Sequence, residues 1–238
     1  MSTTQASWFA DRFAKLAQCA LFHGLTEADW QPVRSRLNGK VFPANAMLMT
    51  ADQSGEAVYF IISGTVKVHV EQADGSDVII SILGPSECFG EMSALDRQTR
   101  SASVTTLEES ELLWLDRETF RKFLMMTPML GHNLSCLLSA RLRQANEQIQ
   151  SLATVDVECR IARQLICFAD KYGQPESGGG IAIPVRLTQS DLANLVGATR
   201  ESVNKIIVSY KERGYLSASR DHRWTIHNRQ FLANRCGA

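Results

Sequence analysis

No two of the six cysteines, at positions 19, 88, 136, 159, 167 and 236, share a CxxC spacing or a tight cluster. That removes both the ligand pattern of a zinc site and the framework of a disulfide-stapled secreted domain. The five histidines, His23, His69, His132, His222 and His227, are scattered. They offer no axial haem pair and no His and Asp cluster of the kind that metal-assisted phosphodiester hydrolysis needs, so no metal-ligating or catalytic residue is expected. The chain also lacks net charge, with 25 Lys and Arg against 25 Asp and Glu. A long apolar run is missing too. The first twenty residues carry Asp11, Arg12 and Lys15, which is not the pattern of a signal peptide. Phe123 to Ala140 is uncharged but interrupted by Pro128, Gly131, His132, Asn133 and serines, a poor membrane span that reads as a loop entering a buried helix. These absences point to a cytoplasmic protein with no membrane partner.

The neutral total hides an asymmetry. Residues 1 to 156 hold 13 Lys and Arg against 18 Asp and Glu, a net of −5, whereas residues 157 to 238 hold 12 against 7, a net of +5. A basic module that faces a polyanion is therefore expected after an acidic one. At 238 residues the chain has room for two cores.

From about Lys40 to Leu115 short Val- and Ile-rich runs alternate at period two: VYFII, TVKVHVE, DVIISI, ASVTT and ELLWL. ADGS at 73 to 76 is a hairpin turn between two of them. Many short strands at this spacing indicate a sandwich or a jelly-roll barrel. Asp116 can cap a short helix, and Pro128 can open a longer one. On the longer helix Leu138, Leu142, Ala145, Ile149 and Leu152 follow gaps of 4, 3, 4 and 3, the spacing of a coiled-coil seam or of a stripe packed on the chain's own barrel. Asp156 offers the next N-cap, so 153 to 156 reads as a hinge. GQPESGGG at 173 to 180 is a flexible loop.

Two stretches carry chemistry. In FGEMSALDRQTRSASV, residues 89 to 104, Gly90 and Glu91 open a short helix between strands. Gly90 lets a ligand approach the backbone, and the unpaired amides that open a helix suit an anion. Arg100 adds a planar cation and Ser101 a hydroxyl. Glu91 has the wrong sign for phosphate but suits a ribose hydroxyl. Cys88 is either a buried inert thiol or a thiolate steadied by Arg100. In LTQSDLANLVGATRESVNKI, residues 187 to 206, Thr188 and Asp191 have capping-box spacing and two helical patterns meet at Gly197. Leu192, Val196, Val203 and Ile206 are the expected shared core. Thr199, Arg200 and Glu201 open the second helix, Lys205, Lys211 and Arg213 continue a basic face, and the hairpin-like YLSASRDHRWTIH follows. This is a winged helix-turn-helix.

The first stretch resembles the phosphate-binding cassette of cyclic-nucleotide-binding domains. Both motifs, in this order and about one hundred residues apart, resemble the catabolite activator protein and fumarate-nitrate regulator family of bacterial transcription factors, from Leu21 to His227. The resemblance implies an α+β chain: a cyclic-nucleotide-binding β-barrel over 1–127, a long dimerisation helix and hinge over 128–156, and a winged helix-turn-helix over 157–238. It implies a homodimer, not an enzyme, that binds a palindromic operator when a cyclic nucleotide is bound, and RNA polymerase as a further partner. No prosthetic group is implied. By resemblance the effector is held by Gly90, Glu91, Met92, Arg100 and Ser101, and its base is read at Ala145 and Asn146. Alanine at 145, usually threonine in members that bind cyclic AMP, leaves that corner incomplete. Cyclic AMP is favoured, with cyclic GMP or a cyclic dinucleotide such as c-di-GMP open. The other readings are a constitutive or redox-responsive member with a vestigial pocket, and a phosphodiesterase. Arg200, Glu201 and Lys205 are expected on G and C edges of a TGTGA-like half-site, with Thr188 and Gln189 on phosphates and Thr199 as a further DNA-binding residue.

Overall fold

The computed structural model describes residues 12–73 and 75–236. Asp11 and the residues before it, and Asp74 of the ADGS turn, lie outside this range. The chain divides into two compact units: one groups residues up to 70 with 82–144, the other groups 71–81 with 145 onward.

The first unit opens with a 3-10 turn, Ala20–Phe22, and helix α1, Glu27–Arg34. Thr26 and Asp29 close a capping box at the start of α1, which satisfies two of the amide donors that a helix leaves unpaired there. Eight short strands follow along the chain, β5 falling mostly within the residues grouped with the second unit: β1 (Asn38–Phe42), β2 (Met47–Met49), β3 (Ala57–Ser63), β4 (Val66–Glu71), β5 (Asp77–Leu83), β6 (Cys88–Phe89), β7 (Ser103–Thr106) and β8 (Ser110–Asp116). They form two four-stranded sheets, ordered β1-β8-β3-β6 and β2-β7-β4-β5. β3 pairs antiparallel with β8, setting Val58 opposite Leu115 and Phe60 opposite Leu113, so the most apolar strands lie at the sheet's centre. The inner faces bury Ile61, Val66, Leu83, Phe89, Val104 and Leu112.

A second apolar cluster lies outside the sheets. Trp30 of α1 packs its ring 4.6 Å from Phe22 and 5.8 Å from Phe123, joining the helices to Phe60 and Leu113 of the barrel. Helix α2 is Glu91–Asp96, between β6 and β7. Asp116 caps helix α3, Arg117–Met126, by accepting from the amide of Thr119 at 2.9 Å. Helix α4 runs from Pro128 to Thr154, about 40 Å at 1.5 Å per residue. The loop expected after Phe123 is absent: 123–126 finish α3, and a single extended residue, Thr127, separates the helices. Proline is compatible with the first turn of a helix, so Pro128 starts α4 without a longer connection. Leu138 is partly buried against the barrel core, whereas Leu142, Ile149 and Leu152 are 64%, 66% and 48% exposed.

In the second unit α5 (Val157–Tyr172) is capped by Asp156. β9 (Gln174–Pro175), β10 (Ile181–Ile183), β11 (Leu216–Ala218) and β12 (Trp224–Ile226) form one small sheet, ordered β11-β12-β10-β9. The stretch expected as a plain loop, 173–180, thus contributes β9. Helices α6 (Gln189–Val196) and α7 (Arg200–Glu212) form the helix-turn-helix, and α8 (Arg229–Cys236) packs along α5. Arg235 of α8 bonds Asp156 at 2.7 Å and Glu158 at 2.9 Å, and Tyr210 of α7 donates to Glu158.

Candidate functional site

The cassette is built around a buried cation. Arg100 is only 6% exposed. Its Nη1 donates to the Gly90 carbonyl and to Ser93 Oγ, and its Nη2 to the Ala57 carbonyl, each at 2.7 Å. All three partners are neutral, and among the described residues Arg100 makes no salt bridge. Burial pushes its pKa down, opposed by Tyr59, Glu91 and Glu56. A guanidinium has five N–H donors, so Nε and one Nη2 proton remain uncommitted.

Beside it, Glu91 is 2% exposed. Its Oε1 accepts from Arg141 Nη1 at 2.6 Å, while its Oε2 is buried without a partner. A buried acceptor left unmade is costly, and a ligand hydroxyl would satisfy it. Arg141 also donates to the Cys88 carbonyl. Burial is the largest single influence on Arg141 and works against its charge, but Glu91, Cys88 and Glu87 together outweigh it and the net shift is upward.

Gly90 makes this arrangement possible. It sits at φ +83° before α2, and a Cβ there would stand 2.6 Å from Arg100 Nη1 and 3.0 Å from the Ala57 carbonyl oxygen. Ser101 is exposed, its Oγ 4.0 Å from Met92 Sδ, and Met92 is 50% exposed. Four of the five cassette residues expected from sequence, Gly90, Glu91, Met92 and Ser101, thus lie around Arg100, whose own donors are mostly turned into the protein. A cavity of about 130 Å³ adjoins Arg100 and is lined by Met49, Gln53, Ser54, Glu56 and Tyr59. Arg141, Ser93 and Ala57 were missed by sequence reasoning. The first is an arginine in an ordinary-looking helix, and the others act through a hydroxyl and a carbonyl that no motif marks. Ala145 and Asn146 are exposed on α4.

The helix-turn-helix follows its spacing closely. Thr188 accepts from the Asp191 amide at 3.1 Å and donates to Asp191 Oδ2, so its hydroxyl is already used within the cap. Gly197 ends α6 at φ +62°, a left-handed conformation suited to glycine. Thr199 caps α7 by accepting from the Ser202 amide. The shared core holds Leu192, Val196 and Val203 as expected, but the next residue inside is Ile207, fully buried, with Ile206 only partly covered. The step from Val203 to Ile207 is one helical turn, which explains the correction. Arg200, Glu201 and Lys205 are all exposed, and Lys205 pairs with Glu201 at 2.8 Å. Lys211 lies over the Trp224 ring, 5.2 Å from its centroid, where it packs on the hairpin.

Residues 39–127 match the cyclic nucleotide-binding domain, and residues 159–235 match the Crp-like helix-turn-helix domain. A CRP-like cAMP-activated global transcriptional regulator of Mycobacterium tuberculosis is 34% identical over 201 residues, covering 84% of this chain and 89% of that protein. The chain belongs to the CRP/FNR family. The cyclic AMP receptor protein of Thermus thermophilus is 31% identical over 194 residues, covering 82% of this chain and 86% of its own length. The structure of FixK2 from Bradyrhizobium japonicum shares the fold with a TM-score of 0.73 at 20% identity, over 85% of this chain and 98% of that one.

As a CRP/FNR protein the chain is a DNA-binding transcription regulator and not an enzyme. Among its described residues no group of three or more His, Cys, Asp or Glu could hold a metal, and no helix is long and apolar enough to cross a membrane. In this regulator Cys88 is 0% exposed and burial raises its thiol well above the usual range. That geometry opposes the reactive thiolate weighed above.

Proposed function

We propose that this regulator works as a homodimer whose barrel binds cyclic AMP, and that the bound nucleotide shifts the dimer toward a form that binds a TGTGA-like palindrome. One observation carries the reading: a buried arginine with no carboxylate bonded to it lies beside a buried glutamate with an unpartnered oxygen. A cyclic phosphate matches the first and a ribose hydroxyl the second. The relatives named cAMP-activated support the choice of nucleotide. Ala145 stands one helical turn beyond Arg141 on α4 and Asn146 follows it, so these are the residues we assign to the base. Asn146 brings an amide to it and Ala145 no polar group, so base selection rests on one side chain.

The dimer is supported by the seam itself. Leu142, Ala145, Ile149 and Leu152 are exposed in the single chain, and a twin helix would cover them. The effector acts by its differential affinity for two arrangements of the dimer, and operator and effector strengthen each other by the same factor. On the operator, Arg200, Glu201 and Lys205 meet base edges, and Gln189 meets a phosphate. RNA polymerase is the partner through which the bound dimer acts on transcription, in the cytoplasm.

Calorimetric titration of the purified protein with cyclic AMP, cyclic GMP and c-di-GMP, each followed by operator binding, tests this reading. Cyclic AMP should bind and tighten operator binding. If cyclic GMP or c-di-GMP did so instead, the base assignment would fail. Operator binding indifferent to all three would identify a constitutive regulator with a vestigial pocket.

A further inference from the structure

The exposed face of α7 holds more chemistry than the three residues assigned to it. Val203, Ile207 and Tyr210 define its buried side, at 0%, 0% and 1% exposure. Away from that side, residues four apart form ridges along the helix. One ridge is Glu201 and Lys205, which are paired to each other. Its neighbour is Arg200, Asn204 and Val208. Arg200 and Asn204 are exposed, and among the described residues their side chains make no hydrogen bond or ion pair. Val208 is 41% exposed, an apolar side chain left in water on the face turned away from the core.

The three side chains on this ridge match three kinds of base edge. A guanidinium fork suits guanine O6 and N7, a carboxamide suits adenine N6 and N7, and an apolar group suits the thymine methyl. We infer that Asn204 and Val208 extend the base-reading surface of α7, and that both select A·T pairs next to the G·C core of the half-site. The inference rests on the operator reading given above.

The helix rise sets the spacing. Asn204 lies about 6 Å and Val208 about 12 Å beyond Arg200 along the axis, at 1.5 Å per residue. With base pairs about 3.4 Å apart, Asn204 falls roughly two pairs from the guanine of Arg200 and Val208 between three and four. The chemistry therefore predicts an adenine two steps along and a thymine methyl beyond it.

Selection from a random DNA pool, using the full chain with cyclic AMP, tests this with four proteins: the parent, Asn204→Ala, Val208→Ser and Arg200→Ala. The parent should enrich A·T pairs at both steps. Asn204→Ala should relax the first by about tenfold, the scale of a lost bidentate pair. Val208→Ser should relax the second by about fourfold, the scale of one buried methyl group. Each should leave affinity for unrelated DNA unchanged. If Arg200→Ala alters the enriched site but the other two leave every position unchanged, this inference is wrong and the helix assignment stands. If Arg200→Ala also changes nothing, the operator reading itself fails. Uniform weakening by Asn204→Ala across all sequences would show a phosphate contact and likewise overturn the inference.

Discussion

Replacing Arg100 by alanine should abolish effector binding while leaving a folded protein. Three of its five donors are held by the Gly90 carbonyl, Ser93 Oγ and the Ala57 carbonyl, each at 2.7 Å. Two donors are left for a phosphate. Hydrogen bonds involving a charged group contribute about 1.5 to 3 kcal/mol each, so losing both costs about 3 to 6 kcal/mol. At 1.4 kcal/mol per decade that is a loss of roughly 140- to 20,000-fold in affinity. The unliganded fold bears a separate cost, partly offset. Removing Arg100 leaves three acceptors unpaired, at a cost of about 1 to 3 kcal/mol each, but it also removes a buried cation that has no bonded carboxylate. Calorimetry measures the affinity directly, and thermal melting with and without cyclic AMP supplies the control. At one hundred times its dissociation constant a ligand stabilises the parent by about 2.7 kcal/mol, and that shift should vanish in the variant. A variant that binds cyclic AMP within about threefold of the parent would refute the phosphate assignment. Arg100→Lys should fall between, because it keeps the charge and loses the fork.

Gly90→Ala should weaken effector binding by tenfold or more and destabilise the fold by about 1 to 2 kcal/mol, the cost of a Cβ in the left-handed region, since that Cβ would stand 2.6 Å from Arg100 Nη1; calorimetry and melting read the two effects separately. Ala145→Thr should raise affinity for cyclic AMP about tenfold, since one added hydrogen bond contributes about 1 kcal/mol, and a loss on titration would show that a different base is read. Leu142→Glu should give monomers by light scattering, because it sets two carboxylates against each other in an apolar seam; a variant that remained dimeric would move the seam elsewhere.

Much of the barrel was legible because five of its strands announce themselves: β3, β4 and β5 are rich in Val and Ile, β7 centres on Val104 and threonines, and β8 is rich in Leu, each bounded by turn residues. β1 and β2 were not, since NGKVF and MLM are short, have little alternation, and are half-exposed in the fold. The cassette positions were readable from Gly90, Glu91 and Arg100, yet the direction of Arg100 was not. Whether a guanidinium faces a ligand or its own backbone depends on the carbonyls of Ala57 and Gly90, and carbonyls carry no sequence signal. Arg141 stayed hidden for a related reason. Nothing in ARLRQANEQI distinguishes an arginine that closes on Glu91 from its neighbour Arg143, which is exposed. The helix-turn-helix was the clearest region, because capping boxes and a left-handed glycine are local devices that short spacing reveals. Even there, the residue after Val203 in the core had to be seen.

The pairing of Lys205 with Glu201 bears on how the protein finds its site. On arbitrary DNA the bridge can stay shut, so the carboxylate is never pressed against phosphates without a counterion, and the helix slides past with its reading groups parked on one another. Opening an exposed pair of this kind costs at most about 1 kcal/mol. A guanine and a cytosine amino group together return more than that, whereas a mismatched pair returns less. If Glu201 and Lys205 read bases as proposed, the bridge sets a small threshold between searching and reading, a bias of a few-fold in favour of the correct half-site.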